Sequence, residues 1–387
     1  MPAPSAIVPD LLRDNPVGRV PDADHLVTAR LDVGPDGWDL RRGHRRRRGR
    51  WAQWRSALSL TDTTHAVQLT GAQMLSPQVH EAAATLIATT AARGSLVFGA
   101  LGSGFQAYLG EELAAALPAR LDDSLRPGDL DWDVAAVRQR RAALRPGLGE
   151  PATVSVVLVS KRPHEIHVML EQMAAQTYPR FELVIGLHGI DDTHLAAHLA
   201  ELGLDGQILL IGESVVFGDA LNLAFERASG RYVTKIDDDD FYGPDHLWDL
   251  VLAHAYSGAT LVGKATTVVY LEELDTTVRR VFGTQESFTH RVAGGTMLLS
   301  REDFAQLGGW DAVPRGVDTA LLATVDRAGG TTYFPHDIGY LYVRHARHSA
   351  AAHTWNTDLN HFLKNNREQW VGRLRHPEFG TLGGVGQ

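Results

Sequence analysis

The 387-residue sequence contains no cysteine, which removes disulfides and thiolate metal ligands from any account of its stability or chemistry. It has no run of about 18 apolar residues, and residues 1–14 lack a basic stretch leading into an apolar core, so neither a membrane span nor a secretory signal is expected. These absences suit a reducing cytoplasm. A further absence is local: Gly102 and Gly104 follow an apolar segment, but the third glycine and the downstream acid of a dinucleotide-binding turn are missing. The late histidines His345, His348 and His353 do not have zinc-motif spacing either.

What is present belongs to a folded protein long enough for two domains, with 44% hydrophobic and 21% charged residues. The net charge of −9 conceals a basic segment of eight arginines, the first Arg41 and the last Arg55, interleaved with Trp51 and Trp54. Counterion release rewards contact between such a segment and any polyanion, and the alternative is a solvated loop. An anionic membrane or polymer is the expected partner; nucleic acid is not. Helical patterns at 79–93, 111–117 and 133–144 and an apolar segment at 95–101 make 1–145 a small N-terminal α/β accessory domain. Two prolines and two glycines then mark 146–153 as a linker.

Beyond the linker the pattern changes. Thr-Val-Ser-Val-Val-Leu-Val-Ser at 153–160 is the near-continuous apolar strand of a parallel sheet. Helices at 164–176, 194–202 and 220–228 alternate with strands at 181–187 and 207–211, implying right-handed βαβ units in a doubly wound sheet. The strand at 232–236 delivers Asp237, Asp238, Asp239 and Asp240 at its tip. Adjacent carboxylates repel by about 1 to 3 kcal/mol per close pair, so a cation is expected among them. Their hard oxygens suit Mg²⁺ or Mn²⁺, and loops at strand carboxyl ends are where open α/β sheets bind ligands. A solvated acidic turn is the alternative. Later segments read as a strand at 291–293 leading into Gly294 and Gly295, a helix at 319–327, a helix at 358–370 and a flexible end.

The ordered fragments Lys-Arg-Pro163, Gln176-Thr-Tyr-Pro179, Leu221-Asn222, Ile236-Asp-Asp-Asp-Asp-Phe-Tyr-Gly-Pro244, Ala293-Gly-Gly-Thr296, Gly308-Gly-Trp-Asp311, Gly316-Val-Asp318 and His353-Thr-Trp355 together resemble a family 2 glycosyltransferase of the type A fold. The subgroup most resembled is bacterial, with spore-maturation-related members. The resemblance implies a catalytic domain with a doubly wound mixed sheet at 154–356, then a C-terminal helix and flexible tail at 357–387. It implies an enzyme that transfers a sugar with inversion from a nucleotide-diphosphate donor, a uridine nucleotide by default; a cytoplasmic place, peripheral at the inner membrane face through residues 41–55, is the expectation from the absences above and the basic segment. The acceptor would be a glycan or glycolipid of the cell envelope.

Carried over residue by residue, Asp237 and Asp239 match the metal-holding Asp-x-Asp, with Asp239 the direct Mn²⁺ or Mg²⁺ ligand and Asp237 nearer the ribose or a metal-bound water. Asp318 matches the catalytic base. His353, and after it His348, matches the late metal-binding histidine. Donor contacts fall on Lys161, Arg162, Asn222, Asp237, Asp238, Asp240, Gly294, Gly295 and Arg344, with Arg347 an alternative to Arg344; Trp310 and Asp311 fall on the acceptor side. Structural roles compete at several positions: Asp240 and Asp318 as turn or helix caps, Trp310 as core, Lys161 and Arg162 as a solvated turn, the two glycines as packing.

Three departures limit the resemblance. Val317 replaces the first acid of the pair before the base, and the second strand ends at His188-Gly189 where the family has an Asp-rich turn, leaving Asp191 and Asp192 as later candidates for the nucleobase. A processive-type Gln-x-x-Arg-Trp segment is absent, which implies one sugar per encounter. Two other classes stay open. A nucleotidyltransferase would carry glycines in the basic loop after the first strand, and a carbohydrate-binding or adaptor protein would not need Asp237, Asp239 and Asp318.

Overall fold

In the computed structural model, which describes residues 26–62, 64–72, 75, 77–346 and 359–380, the chain divides into two units, Met1–Gly149 and Glu150–Gln387. Alternation builds the first. Thr28–Val33 (β1) turns Ala29, Leu31 and Val33 inward, and Gly37–Arg42 (β2) turns Trp38 and Leu40 inward. With Arg45–Arg50 (β3), Ala66–Thr70 (β4) and Leu96–Phe98 (β5), they form a sheet in the order β3-β2-β1-β4-β5, antiparallel on the β2 side and parallel on the β4 side. Helices Arg55–Thr61 (α1), Pro77–Ala92 (α2), Ser103–Leu109 (α3), Glu111–Ala116 (α4) and Leu130–Leu144 (α5) accompany it. The buried amide of Gln139 on α5 accepts from the Val97 N–H and donates to the Val97 carbonyl, both at 2.8 Å, so a side chain completes the hydrogen bonding of the β5 edge.

The arginine-rich segment is a hairpin and not a loop. β3 pairs along its length with β2, and Gly43, at φ +55°, makes the turn. As an edge strand, β3 lets Arg45, Arg46, Arg47, Arg48 and Arg50 all reach water. Gly49 interrupts them because the Trp38 indole lies against it: an added Cβ would sit 3.0 Å from the ring. Trp51 and Trp54 are buried, and Trp51 Nε1 donates to the Gly34 carbonyl at 3.0 Å. The tryptophans serve the core, and the cationic face is left to arginine alone.

In the second unit every residue of Val154–Ser160 (β6) is buried, as a central parallel strand requires. Phe181–His188 (β7), Gly206–Ile211 (β8) and Tyr232–Lys235 (β9) run parallel to it, with β7 and β8 on one side and β9 on the other. The chain therefore reverses its direction of travel across the sheet between β6 and β9, and that is the point where a crevice opens at strand carboxyl ends. The remaining strands are Phe241–Tyr242 (β10), Leu261–Val262 (β11), Val268–Leu271 (β12), Thr276–Arg280 (β13), Ser287–Thr289 (β14), Leu298–Ser300 (β15), Thr332–Phe334 (β16), Tyr340–Arg344 (β17) and Asn366–Val371 (β18). Among the described residues they complete a mixed sheet ordered β14-β16-β11-β15-β9-β6-β7-β8 and a smaller one ordered β10-β17-β12-β13-β18.

Helices Pro163–Ala174 (α6), Leu195–Glu201 (α7), Phe217–Phe225 (α8), His246–Ser257 (α9), Arg301–Gln306 (α10), Val317–Arg327 (α11) and Leu359–Leu363 (α12) flank these sheets. One core joins β6, β7 and β9 to α8 and α11 through Val157, Val184, Leu221, Val233 and Leu321, all at most 1% exposed. The class is thus the expected α/β with a doubly wound mixed sheet. Among the described residues no helix is long and apolar enough to cross a membrane.

Two expected elements differ. Residues 291–293 are not a strand; they lead into a 3₁₀ turn, Gly294–Thr296, where the Thr296 hydroxyl bonds to the Ala293 and Lys264 carbonyls. The C-terminal helix expected at 358–370 stops at Leu363. Asn365 takes the left-handed conformation at φ +56°, which asparagine tolerates, and β18 then pairs antiparallel with β13. A long-range ladder overrides the local helical pattern there. The expected flexible tail at 381–387 lies outside the described residues.

Candidate active site

The acidic turn stands where the crevice opens, and its four carboxylates avoid one another by turning to four different environments. The backbone is pinned first. Gln172 on α6 accepts from the Tyr242 N–H at 2.8 Å and donates to the Asp240 carbonyl at 3.3 Å. Asp237 accepts from Lys235 Nζ at 2.5 Å, while its N–H donates to the Tyr242 hydroxyl at 2.9 Å. Asp238 is buried and receives the Ser160 hydroxyl and the Arg162 guanidinium, whose Nε lies 3.0 Å away. Asp239 Oδ2 lies 3.0 Å from Arg162 Nη2 and 3.7 Å from His345 Nε2. Asp240 is buried, accepting from the Tyr340 hydroxyl at 2.7 Å and the Val343 N–H at 2.9 Å.

These environments set the protonation tendencies. Burial, with Asp239 and Asp237 adding repulsion, pushes the Asp240 carboxyl well above the ordinary range. Burial also raises Asp238, against the opposing pull of Arg162. The Arg162 guanidinium is held firmly charged, because Asp238 and Asp239 outweigh its own desolvation. Asp238 and Asp240 are therefore turned into the protein, one anchoring Arg162 and the other tying the turn to β17. Both are expected at the donor, and both are buried.

Asp318 reaches the same place from another element. It lies in the first turn of α11, behind Gly316 at φ +72°, and makes no capping bond, so the capping alternative does not apply. Its Oδ1 is buried 3.4 Å from Lys235 Nζ, while the side chain as a whole is about one third exposed at 34%. Burial and the nearby Asp237 raise its carboxyl against the pull of Lys235, and the raised direction is the one a general base working near neutral pH requires. Lys235 itself is 3% exposed, and its two carboxylates hold it charged despite burial.

Gly294 and Gly295 explain themselves at this point. A Cβ on Gly294 would lie 2.0 Å from Asp318 Oδ2, and one on Gly295 would lie 2.6 Å from the Tyr242 hydroxyl and 2.8 Å from Asp237 Oδ2. The glycines make room for two carboxylates.

The other sequence candidates separate into near and remote. Lys161, at the end of β6, is exposed. Arg344 is buried at the end of β17, its guanidinium 5.8 Å over the Phe362 ring. Asn222 spends its amide on backbone, donating to the Trp310 carbonyl at 2.8 Å and accepting from the Trp310 N–H at 2.9 Å, so it braces a loop and is not placed as a donor contact. Trp310 is 3% exposed against Phe225 and Phe304 and belongs to the core, not the acceptor side; Asp311 beside it is exposed. His188 is buried with Nε2 on the Val215 carbonyl at 2.9 Å, and Asp192 is occupied by His167 Nε2 at 2.7 Å. Arg347, His348 and His353 lie outside the described residues.

Two participants escaped the sequence reading. Lys235 lies inside an otherwise apolar strand, although a lysine two residues before four aspartates has to be paired. His345 was set behind His348 and His353, yet it follows directly on β17, whose alternation Tyr340-Leu-Tyr-Val-Arg344 points to a sheet end there. Its Nδ1 faces Glu272 Oε2 at 3.2 Å, and the same oxygen accepts from the Ala346 N–H at 2.7 Å. A carboxylate behind one ring nitrogen is the usual support of a metal-binding histidine.

The donor set is compatible with a divalent ion. Among the described residues no three His, Asp or Glu side chains form a ready-made cage. Magnesium-type sites do not need one, since one or two carboxylates plus substrate phosphates suffice. Asp239 Oδ2 and His345 Nε2, 3.7 Å apart, fall within the span of about 4.2 Å that two metal bonds of about 2.1 Å can bridge. The charge also fits: Lys235 and Arg162 are the counter-charges among the carboxylates of Asp237, Asp238, Asp239 and Asp318, an acid-rich set that suits a cation.

Residues 155–303 match the family described as Glycosyl transferase family 2. No curated protein matches the chain. Among solved structures, the mannosyltransferase PcManGT from Pyrobaculum calidifontis in complex with GDP-Man and Mn²⁺ is similar at 17% identity, covering 53% of this chain and 63% of that one, with a TM-score of 0.40. S. aureus TarS 1–349 in complex with UDP-GlcNAc is similar at 14% identity, covering 52% and 62%, with a TM-score of 0.39. The chain spans less than two thirds of the length of either structure.

Proposed function

With a family 2 glycosyltransferase domain over residues 155–303, we propose that this protein is a metal-dependent, inverting glycosyltransferase moving a sugar from a nucleotide-diphosphate donor to a hydroxyl acceptor. The observation that carries the reading is the convergence of Asp237 and Asp318, from separate elements, on the single ammonium of Lys235 beside the Asp239–His345 pair.

In this reading the acceptor hydroxyl gives its proton to the Asp318 carboxylate as its oxygen bonds to the anomeric carbon. The bond from that carbon to the diphosphate breaks on the opposite face. A Mn²⁺ or Mg²⁺ held by Asp239 and His345, with Asp237 toward the ribose or a metal-bound water, supplies charge neutralisation at the departing diphosphate when bound. Arg162 fixes Asp239 from below, and exposed Lys161 is available to the base or phosphates. Arg344, next to His345 at the end of β17, is the donor-side arginine of this reading. His353 stays a candidate ligand on the resemblance alone.

Cell-envelope or surface glycan assembly, at the inner face of the membrane, is the setting we favour for the acceptor. The supporting feature is the row of solvated arginines on β3, which fits an anionic lipid surface or polymer. Two experiments test the reading. Nucleoside diphosphate release is measured with Mn²⁺ across uridine, guanosine, thymidine and cytidine diphosphate sugars: one donor should turn over, and Asp318→Asn should lower the rate about 10³-fold. Thermal stabilisation by the matching nucleoside diphosphate should require metal. Metal-independent stabilisation by free sugars would instead favour a carbohydrate-binding protein.

A further inference from the structure

We propose that Lys235 is a positioning residue that sets Asp318 and Asp237 in a fixed relation, so that one buried ammonium aligns the acceptor side of the site with the donor side. The inference rests on the reading of Asp318 as base. It starts from an oddity of burial. Lys235 closes a central strand, pairs with Val157 on β6, and is 3% exposed, whereas the carboxylates it meets are 37% and 34% exposed. The cation is sealed beneath two anions that open to solvent.

Burying an ion pair in this way is weak evidence for stability, since apolar residues of similar size often do as well. The geometry shows what the lysine does instead. Oδ1 of Asp237 lies 2.5 Å from Nζ and Oδ1 of Asp318 lies 3.4 Å from it. The other oxygen of each carboxylate rests over a glycine: Asp318 Oδ2 over Gly294 and Asp237 Oδ2 over Gly295. Each carboxylate is therefore gripped from two sides, by a shared ammonium and by adjacent glycines that leave no room for a side chain. Asp237 follows β9 and Asp318 opens α11, so the chain itself provides no local connection between them. Without the ammonium, two like charges would face each other across its place, and the attraction on Asp318 Oδ1 would be gone. A base displaced by about 1 Å from its productive position loses on the order of 10²-fold in rate.

The test compares Lys235→Met, which keeps the length and removes the charge, with Lys235→Arg, which keeps the charge. In crystal structures, the methionine variant should show the Asp318 carboxylate moved by more than about 1 Å from Gly294, and the arginine variant should hold it in place. An unmoved Asp318 in the methionine variant overturns the proposal, whether or not any donor is turned over. Should the methionine variant not fold, Lys235→Gln is examined in the same way. In nucleotide release with Mn²⁺ and the donor found by the panel, Lys235→Met should lower kcat about 10²-fold while the donor KM changes less than about threefold, and Lys235→Arg should recover at least about tenfold. On an Asp318→Asn background the further loss from Lys235→Met should shrink to less than about threefold. Equal losses on both backgrounds would mark a merely structural lysine and overturn the proposal. Full activity of Asp318→Asn alone would instead sink the reading of the base, a separate outcome.

Discussion

The chain contains two runs of like charge, and the protein handles them in opposite ways. Four aspartates end a strand at the centre of a sheet, and each is partnered: Lys235 for Asp237, Ser160 and Arg162 for Asp238, the same Arg162 for Asp239, and Tyr340 with Val343 for Asp240. The arginines of β3 lie on an edge strand and are left to water, apart from Arg46, which joins Arg41 on Asp39. Repulsion at the interior run is relieved by counter-charge and protonation; at the edge run it is relieved by solvent. Identical residue types accordingly titrate in opposite directions. Hydrogen bonds from Arg46 and Arg41 hold the Asp39 carboxyl well below its usual range, whereas burial lifts Asp240 and Asp318. Topology, and not the charge run itself, decides which applies.

The contrast breaks most visibly when an interior partner is removed. Arg162→Met leaves Asp238 buried without its cation and should cost about 2 to 4 kcal/mol, read as a lower denaturation midpoint in urea or guanidinium. An unchanged midpoint would mean that Asp238 is relieved by solvent after all. Gly294→Ala is expected next in size. Its methyl would collide with Asp318, so donor turnover should fall at least about tenfold while nucleotide affinity stays within about threefold. Retained turnover would show that Asp318 does not depend on that glycine.

The pH response sharpens the comparison. Because Asp318 is raised, it takes up its proton as pH falls while an ordinary aspartate is still ionised, so the acid limb of kcat/KM should lie above the usual aspartate range near about pH 4. The sign is reversed at Asp39. Its depressed carboxyl contributes stability above the unfolded value, and that contribution is lost as pH falls through the folded one. A limb at or below about pH 4 would contradict the placement of Asp318. Smallest of all, Arg47→Ser with Arg48→Ser should change stability by less than about 0.5 kcal/mol, while lowering the salt sensitivity of co-sedimentation with anionic vesicles. Binding that is unaffected by salt in the parent protein would remove the electrostatic role of that strand.

The sheet was legible wherever a pattern was dictated by burial on both faces. Val154–Ser160 could be read as a central strand because no other environment suits so continuous an apolar run, and the acidic turn as the tip of another because it directly follows the apolar strand residues. Elements made by distant pairing were not legible: β18 forms against β13, whose Arg280 lies 86 residues before its partner Asn366, and nothing in its own residues announces a strand over a helix. The arginine hairpin was hidden for the same reason, its strand character coming from Trp38 and Leu40 of β2. In the site, Asp237, Asp239 and Asp318 were singled out by the resemblance and their order, whereas the contacts of Gly294, Gly295 and Asn222 needed the structure. A glycine offers no side chain to reason from, and an amide bonds backbone and ligand equally well.

The central claim is that the acidic turn, through Asp239, holds a cation that binds a nucleoside diphosphate. Isothermal titration of uridine, guanosine, thymidine and cytidine diphosphates with and without Mn²⁺, on the parent protein and on Asp239→Asn, tests it most directly. One nucleotide should bind only when Mn²⁺ is present, and Asp239→Asn should weaken that binding at least about tenfold. Binding that ignores both the metal and the substitution would contradict the account.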